Sequence, residues 1–372
     1  MTPFLERSTV RLALAVLIAA VALYAYGSRR IVADQFALGA ENFSGHEEWN
    51  GTRFTASSPR EIAALLNEPV TPPGSREKRI LWLGNSQLHA INQFEPGDHL
   101  APYWLRASAP CPDCVGVVAL SLPNANMQEL MVVYQAALER GPPDALVLAA
   151  VFDDLREDGV RGELEPLLVP RVRQRLQAYE VGRELLRRLA REGTPAGSEE
   201  NAGLEGFVQK RFEDRLTASL AEWWPLWSKR PELRAHLLTD IYHLRNRLLG
   251  IKATSVRRMI PPRLQRNMAA LEALLDDCRS RGIRVLIYIA PIRQDVALPY
   301  DAREYEAWKA RVAELSRARK AAFVNLEGLV PAQHWGSQEG EEIDFMHFKG
   351  TGHRMVATAL DRALEELLAE GR

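Results

Sequence analysis

Cysteine is scarce in this chain, at three residues in 372. So small and odd a number excludes a disulfide framework as the source of the fold, and the stability has to come from a hydrophobic core. An excess of positive charge is missing too. The 47 Lys and Arg are balanced by 48 Asp and Glu, a formal net charge of -1, and with no nucleic-acid-binding signature this excludes nucleic acid as a partner. Internal repeats and long low-complexity tracts are also absent. Long hydrophobic runs are absent with one exception, "LALAVLIAAVALYAYGS" at residues 12 to 28.

That run is uncharged and lies between Arg7/Arg11 and Arg29/Arg30. It sits at the short end of what spans a bilayer. A cleaved signal peptide is one reading, with "AYG" as a small-x-small site. An uncleaved N-terminal anchor accounts better for Tyr24, Tyr26 and the Arg29-Arg30 pair at its exit, residues that favour the membrane interface. Either way the remainder is expected to work outside the cytoplasm, although positive charge on both flanks leaves the orientation open. Cys111 and Cys114 form "CPDC", which is a small loop disulfide, a pair of idle thiols or half of a zinc site. No second CxxC or HxxxH supplies the other two zinc ligands. Cys278, in "LLDDCRSRG", reads as a buried helix residue.

What the chain does contain is ordinary globular composition, 47% hydrophobic and 26% charged. Residues 29–78 read as a polar spacer with one short helix around "PREIAALLNE", ending at the Pro-Pro-Gly breaker. Aliphatic and β-branched runs then recur at 80–83, 116–120, 145–151, 284–290 and 322–326. Helical patterns fall at 127–139, 264–281, 301–318 and 350–370. Near-continuous apolar strands alternating with amphipathic helices predict an α/β domain of three layers around a parallel sheet of about five strands. It is expected over 79–155 and 263–372. Residues 156–262, with helical patterns at 170–192 and 204–249, exceed what one crossover needs and read as a helical insertion, a lid or docking subdomain.

Sites in open parallel sheets form at the carboxyl ends of strands. The first strand runs into Gly84-Asn85-Ser86. Ser86 is either the N-cap of a following helix or a nucleophile with helix amides aimed at the charge that develops beside it. A serine nucleophile needs a base, itself oriented by a carboxylate. Among eight histidines, two lie three residues after an aspartate. "DIYH" (Asp240, His243) sits in a helical pattern and reads as a helix face. "DFMH" (Asp344, His347) lies after the last strand of the pattern and before the C-terminal helix, on the side where a site belongs.

"WLGNSQ" near the start of the domain and "DFMHFKGTGHRMVA" before its last helix resemble the first and last sequence blocks of the SGNH (GDSL-like) hydrolase superfamily. The resemblance covers roughly 79–155 and 264–370, and Gly352, His353 and Ala357 extend the match of the last block. It implies a flavodoxin-like sheet, Ser86 as nucleophile, and Asp344 and His347 as the rest of its triad, with no metal or organic cofactor. The family's oxyanion donors map onto Ser86, Asn124 and Asp153. Asn124 replaces the usual glycine, and asparagine can still adopt a left-handed conformation. Asp153, in "VFDDL", replaces the usual asparagine, and an ionised carboxylate repels an oxyanion. Asn85, Asn126 and Arg293 are the substrate-binding candidates. With an N-terminal anchor and weakened middle blocks, the chain resembles membrane-anchored members that serve teichoic-acid D-alanyl transfer or exopolysaccharide O-acetylation. That implies an acyl donor, a carbohydrate or lipid acceptor and a polytopic membrane acyltransferase as partner. The competing reading is a non-catalytic module that docks on such a partner.

Two further features stay open. Trp223, Trp224 and Trp227 can stack on sugars, sit at a membrane interface or fill the core of the insertion. The arginines of 171–191 read as a solvated helix face. His89 reads as a helix residue, not a second base.

Overall fold

The computed structural model describes residues 47–68, 78–89, 95, 97–192, 256–337 and 343–369. The apolar run at 12–28, the tryptophans of the expected insertion and the Asp240/His243 pair lie outside them. Among the described residues no helix is long and apolar enough to cross a membrane.

A short hairpin, β1 (Glu48–Trp49) and β2 (Thr52–Arg53), leads into β3 (Thr55–Ala56) and helix α1 (Pro59–Asn67). Then follow β4 (Lys78–Gly84), α2 (Ala101–Ser108), β5 (Val115–Ser121), α3 (Met127–Ala137) and β6 (Ala145–Ala150). After α4 (Pro170–Gln177) and α5 (Glu180–Glu192) come α6 (Pro261–Ser280), β7 (Arg284–Ile289), α7 (Ala302–Ala318) and β8 (Ala322–Asn325). A two-stranded ribbon, β9 (Trp335–Ser337) and β10 (Ile343–Phe348), precedes the last helix α8 (Gly350–Ala369). The main sheet is parallel, in the order β3-β5-β4-β6-β7-β8.

The five expected strands are therefore all present, and a sixth, β3, lies at the edge. At two residues β3 is too short to show periodicity, which is why the sequence hid it. Its pairing with β5, and the burial of Ile62 and Leu65 of α1 in the core, make residues 47–68 part of the domain instead of a spacer. The first part of the expected insertion behaves likewise. Leu164, Leu167, Val172, Leu176 and Leu185 join the same core cluster, so residues 156–190 pack onto the helices of that layer.

Alternation along each strand divides the core into two layers. Leu81, Leu83, Leu146 and Leu148 face α1, α3, α6 and α7, while Ile80, Trp82, Val147 and Tyr288 face α2 and α8. Burying each such side chain is worth about 1.5–3 kcal/mol. Local signals set the helix starts at the sheet's carboxyl edge. Asn126 caps α3 in a reciprocal capping box with Glu129, and Asp301 caps α7.

Candidate active site

β4 ends at Gly84 because nothing larger fits: a Cβ there would lie 2.7 Å from Leu88 Cδ1. The chain turns at once into one 3-10 turn, Ser86–Leu88, capped by Asn85, whose side-chain oxygen accepts from the Gln87 N–H at 3.0 Å. Ser86 is left half-buried while its neighbours Asn85 and Gln87 are buried. Its hydroxyl lies 3.0 Å from His347 Nε2. His347 Nδ1 in turn lies 2.9 Å from Asp344 Oδ2. These three residues form one unbroken hydrogen-bonded chain across 261 residues of sequence.

An i, i+3 pair on a regular strand would point to opposite faces. β10 escapes this by leaving its ladder. Ile343 pairs with Ser337 and Phe348 with Trp335, so five steps on one strand oppose two on the other. In the excess, Asp344 Oδ1 folds back to accept the N–H groups of Met346 (2.9 Å) and His347 (3.0 Å). Burial opposes ionisation of Asp344, but the hydrogen bonds and charge of His347 and the two backbone amides outweigh it and hold the carboxyl below its ordinary value.

The backbone amides of Ser86 and Asn124 have no acceptor among the described residues. The Leu122 N–H donates to the Gly84 carbonyl at 3.2 Å, which sets the turn after β5 beside the end of β4. In that turn Asn124 takes φ 52°, the left-handed conformation expected of it.

Asp153 is not an oxyanion donor. Its carboxylate accepts from Arg156 Nη1 at 2.8 Å, from Arg257 Nη1 and from Tyr300 Oη at 3.0 Å. Two cations thus neutralise the charge that would have opposed an oxyanion. The cluster also reaches β10, since Arg257 lies 5.1 Å over the Phe345 ring and Tyr300 Oη 3.7 Å from Met346 Sδ.

The substrate-binding candidates are engaged by other groups of the protein. Asn85 Nδ2 donates to both oxygens of Asp154, at 2.9 and 3.1 Å. Asp154 is buried, and burial pushes its carboxyl well above the ordinary value. Asn126 caps α3 and donates to the Gly159 carbonyl at 2.7 Å. Arg293 makes a two-pronged pair with Asp295, at 2.7 and 3.0 Å. Position after a strand says nothing about where a side chain turns. His89 is a buried residue whose Nε2 lies 2.8 Å from Ser121 Oγ; burial and the neighbouring His347 lower it to about 4.

Asn124 and Asn126 also line a cleft of about 890 Å³ with Ser57, Ser58, Glu61 and Arg161. Cys111 and Cys114 are joined as a disulfide, and Asp113 between them accepts from Trp49 Nε1 at 2.9 Å.

No protein-family model and no curated protein matches this chain. Among solved structures it is similar to a GDSL-like lipase from Bacteroides thetaiotaomicron, at 10% identity and a TM-score of 0.41, over 83% of this chain and 97% of that one. A Bacteroides fragilis protein assigned as an acylhydrolase gives 12% identity and 0.40, over 83% and 96%. A catalytic mutant of an acetylxylan esterase from Geobacillus stearothermophilus gives 10% and 0.36, over 78% and 95%. Likeness this distant carries neither a substrate nor a mechanism; the side-chain geometry has to do so.

Proposed function

We propose that this chain breaks or transfers an ester through an acyl-serine intermediate. The observation that carries the reading is the chain Ser86–His347–Asp344. His347 Nε2 takes the Ser86 proton as Oγ attacks the ester carbonyl, and Asp344 holds the imidazole by Nδ1 and stabilises its charged form. The tetrahedral oxyanion is received by the open amides of Ser86 and Asn124. His347 then returns the proton to the leaving alcohol, leaving Ser86 acylated. Water releases the acid, or a second hydroxyl takes the acyl group.

The substrate class we propose is a hydrophilic ester on an extracytoplasmic carbohydrate or lipid headgroup. Supporting it, the cleft beside Asn124 carries serine, asparagine, glutamate and arginine side chains, with Val160 and two prolines as its apolar lining. The disulfide supports an oxidising compartment, in keeping with an N-terminal anchor and a polytopic membrane acyltransferase as the acyl source.

The test is covalent labelling of the protein with a fluorophosphonate and with p-nitrophenyl acetate. A single adduct on Ser86 is expected by mass spectrometry, and Ser86→Ala should lose it together with at least about 1000-fold in kcat/KM. Wild type that stays unlabelled where a known serine esterase reacts would return the chain to the docking-module reading. Turnover that rises only when an oligosaccharide acceptor is added would identify a transferase.

A further inference from the structure

The turn that carries Asn124 is held by a residue that takes no part in the steps above. Leu122, Pro123, Asn124 and Ala125 form a β-turn closed by the Ala125 N–H on the Leu122 carbonyl at 3.1 Å. Proline in second place and φ 52° in third make it type II. The dihedrals of type I and type II turns differ by a flip of the middle peptide, here the Pro123 carbonyl and the Asn124 N–H. Only one of the two flips offers that N–H where the type II turn offers it. The other turns a carbonyl oxygen to the same place, which would repel an oxyanion.

Arg161 grips this peptide. Its Nη2 donates to the Pro123 carbonyl at 2.9 Å and to the Asn124 carbonyl at 3.4 Å. The peptide is trans, so pinning its carbonyl toward Arg161 points its N–H the opposite way. Arg161 is in turn fixed by Glu129, a buried residue of the first turn of α3. Nε and Nη2 make a two-pronged pair with the carboxylate at 2.8 and 2.9 Å, and the Arg161 N–H adds a third bond at 2.9 Å. The same carboxylate accepts from the Asn126 N–H at 3.3 Å, on the far side of the turn. Both ends of the turn are thus tied to one ion pair. A cation on the carbonyl also draws electron density from the peptide and makes its N–H a stronger donor.

We infer that Arg161, oriented by Glu129, is a positioning residue that locks the Pro123–Asn124 peptide in the flip that presents the Asn124 N–H to the oxyanion. This rests on the proposed acyl transfer at Ser86, and the experiment separates the two.

Esterase activity toward p-nitrophenyl acetate is measured per mole of Ser86 titrated by fluorophosphonate, so that loss of folded protein is not counted as loss of rate. Arg161→Met should lower kcat by about 10- to 100-fold, short of the full loss of a donor, with KM within about threefold and the pH profile of kcat/KM unmoved. Glycine tolerates the type II turn without help, so Asn124→Gly placed in the Arg161→Met protein should recover a large part of kcat. Arg161→Lys, which keeps charge but not the fork, should fall between and serves if Arg161→Met does not fold. A titrated kcat within threefold of wild type in Arg161→Met or, failing that, Arg161→Lys would overturn the assignment. So would a loss that Asn124→Gly leaves unrepaired, since that marks a structural role alone. Failure of wild type to label at Ser86 would instead remove the acyl-transfer reading itself.

Discussion

At the scale of single residues, a side chain's partner decides its task more than its place in a motif does. Asp153 stands after β6 where a donor would serve, yet Arg156, Arg257 and Tyr300 claim its carboxylate. Asp153→Asn offers an amide but removes the anion between two guanidiniums, each less than a third exposed. The variant should lose about 1–3 kcal/mol of stability, as hydrogen bonds to a charged group do, and gain no rate. Urea denaturation and p-nitrophenyl acetate turnover check both halves; a tenfold faster variant would show that position 153 reaches the oxyanion after all.

At the scale of elements, the site is two strand ends brought to one point. The first depends on close packing. A methyl group at Gly84 would press on Leu88, which is buried and cannot swing into solvent. Gly84→Ala should therefore cost about 1–3 kcal/mol, the usual range for overpacking, and slow the reaction by displacing the turn that holds Ser86. Equal urea midpoints for variant and wild type would refute the packing account. The second strand end depends on irregularity, because only the excess residues of β10 let Asp344 and His347 meet.

At the scale of the whole molecule, the layer between sheet and α8 contains groups that oppose acid. His89 is lowered to about 4 and His353 to about 3, each mainly by burial and then by the charge of His347. The unfolded chain takes up these protons near pH 6.5 and the folded chain does not. Stability is then complete above about pH 6.5 and falls with acidification, by about 1.4 kcal/mol per pH unit for each histidine kept neutral. Asp154 works the other way. Burial makes its carboxyl hold a proton more readily folded than unfolded, so acidification toward the ordinary carboxylate range favours the folded state and offsets part of the loss. Asp344, held low, loses its contribution only below the ordinary carboxylate range. Thermal melts between pH 7 and 4 should show declining stability, and Asp154→Asn should steepen the decline. A flat profile in both proteins would contradict the buried histidines.

Much of this was legible in the sequence. Apolar runs of strand length separated by amphipathic helices determine a parallel α/β domain, because such strands are stable only when covered on both faces. Gly84-Asn85-Ser86 and Asp344-x-x-His347 are local patterns whose spacing survives folding, and asparagine at 124 allows the left-handed conformation found there. The edge strand β3 was hidden because two residues carry no period. The partners of Asn85, Asn126 and Arg293 could not be foreseen, because a motif fixes where a residue stands, not what its side chain touches. Glu129 and Arg161 are 32 residues apart, and Ser86 and His347 are 261 apart. Short-range hydrophobic pattern and turn chemistry act within a few residues, so the sequence by itself determined the elements and the reactive groups. Which groups meet, and which way a single peptide faces, was decided only when the sheet and its loops brought distant charges within hydrogen-bond distance.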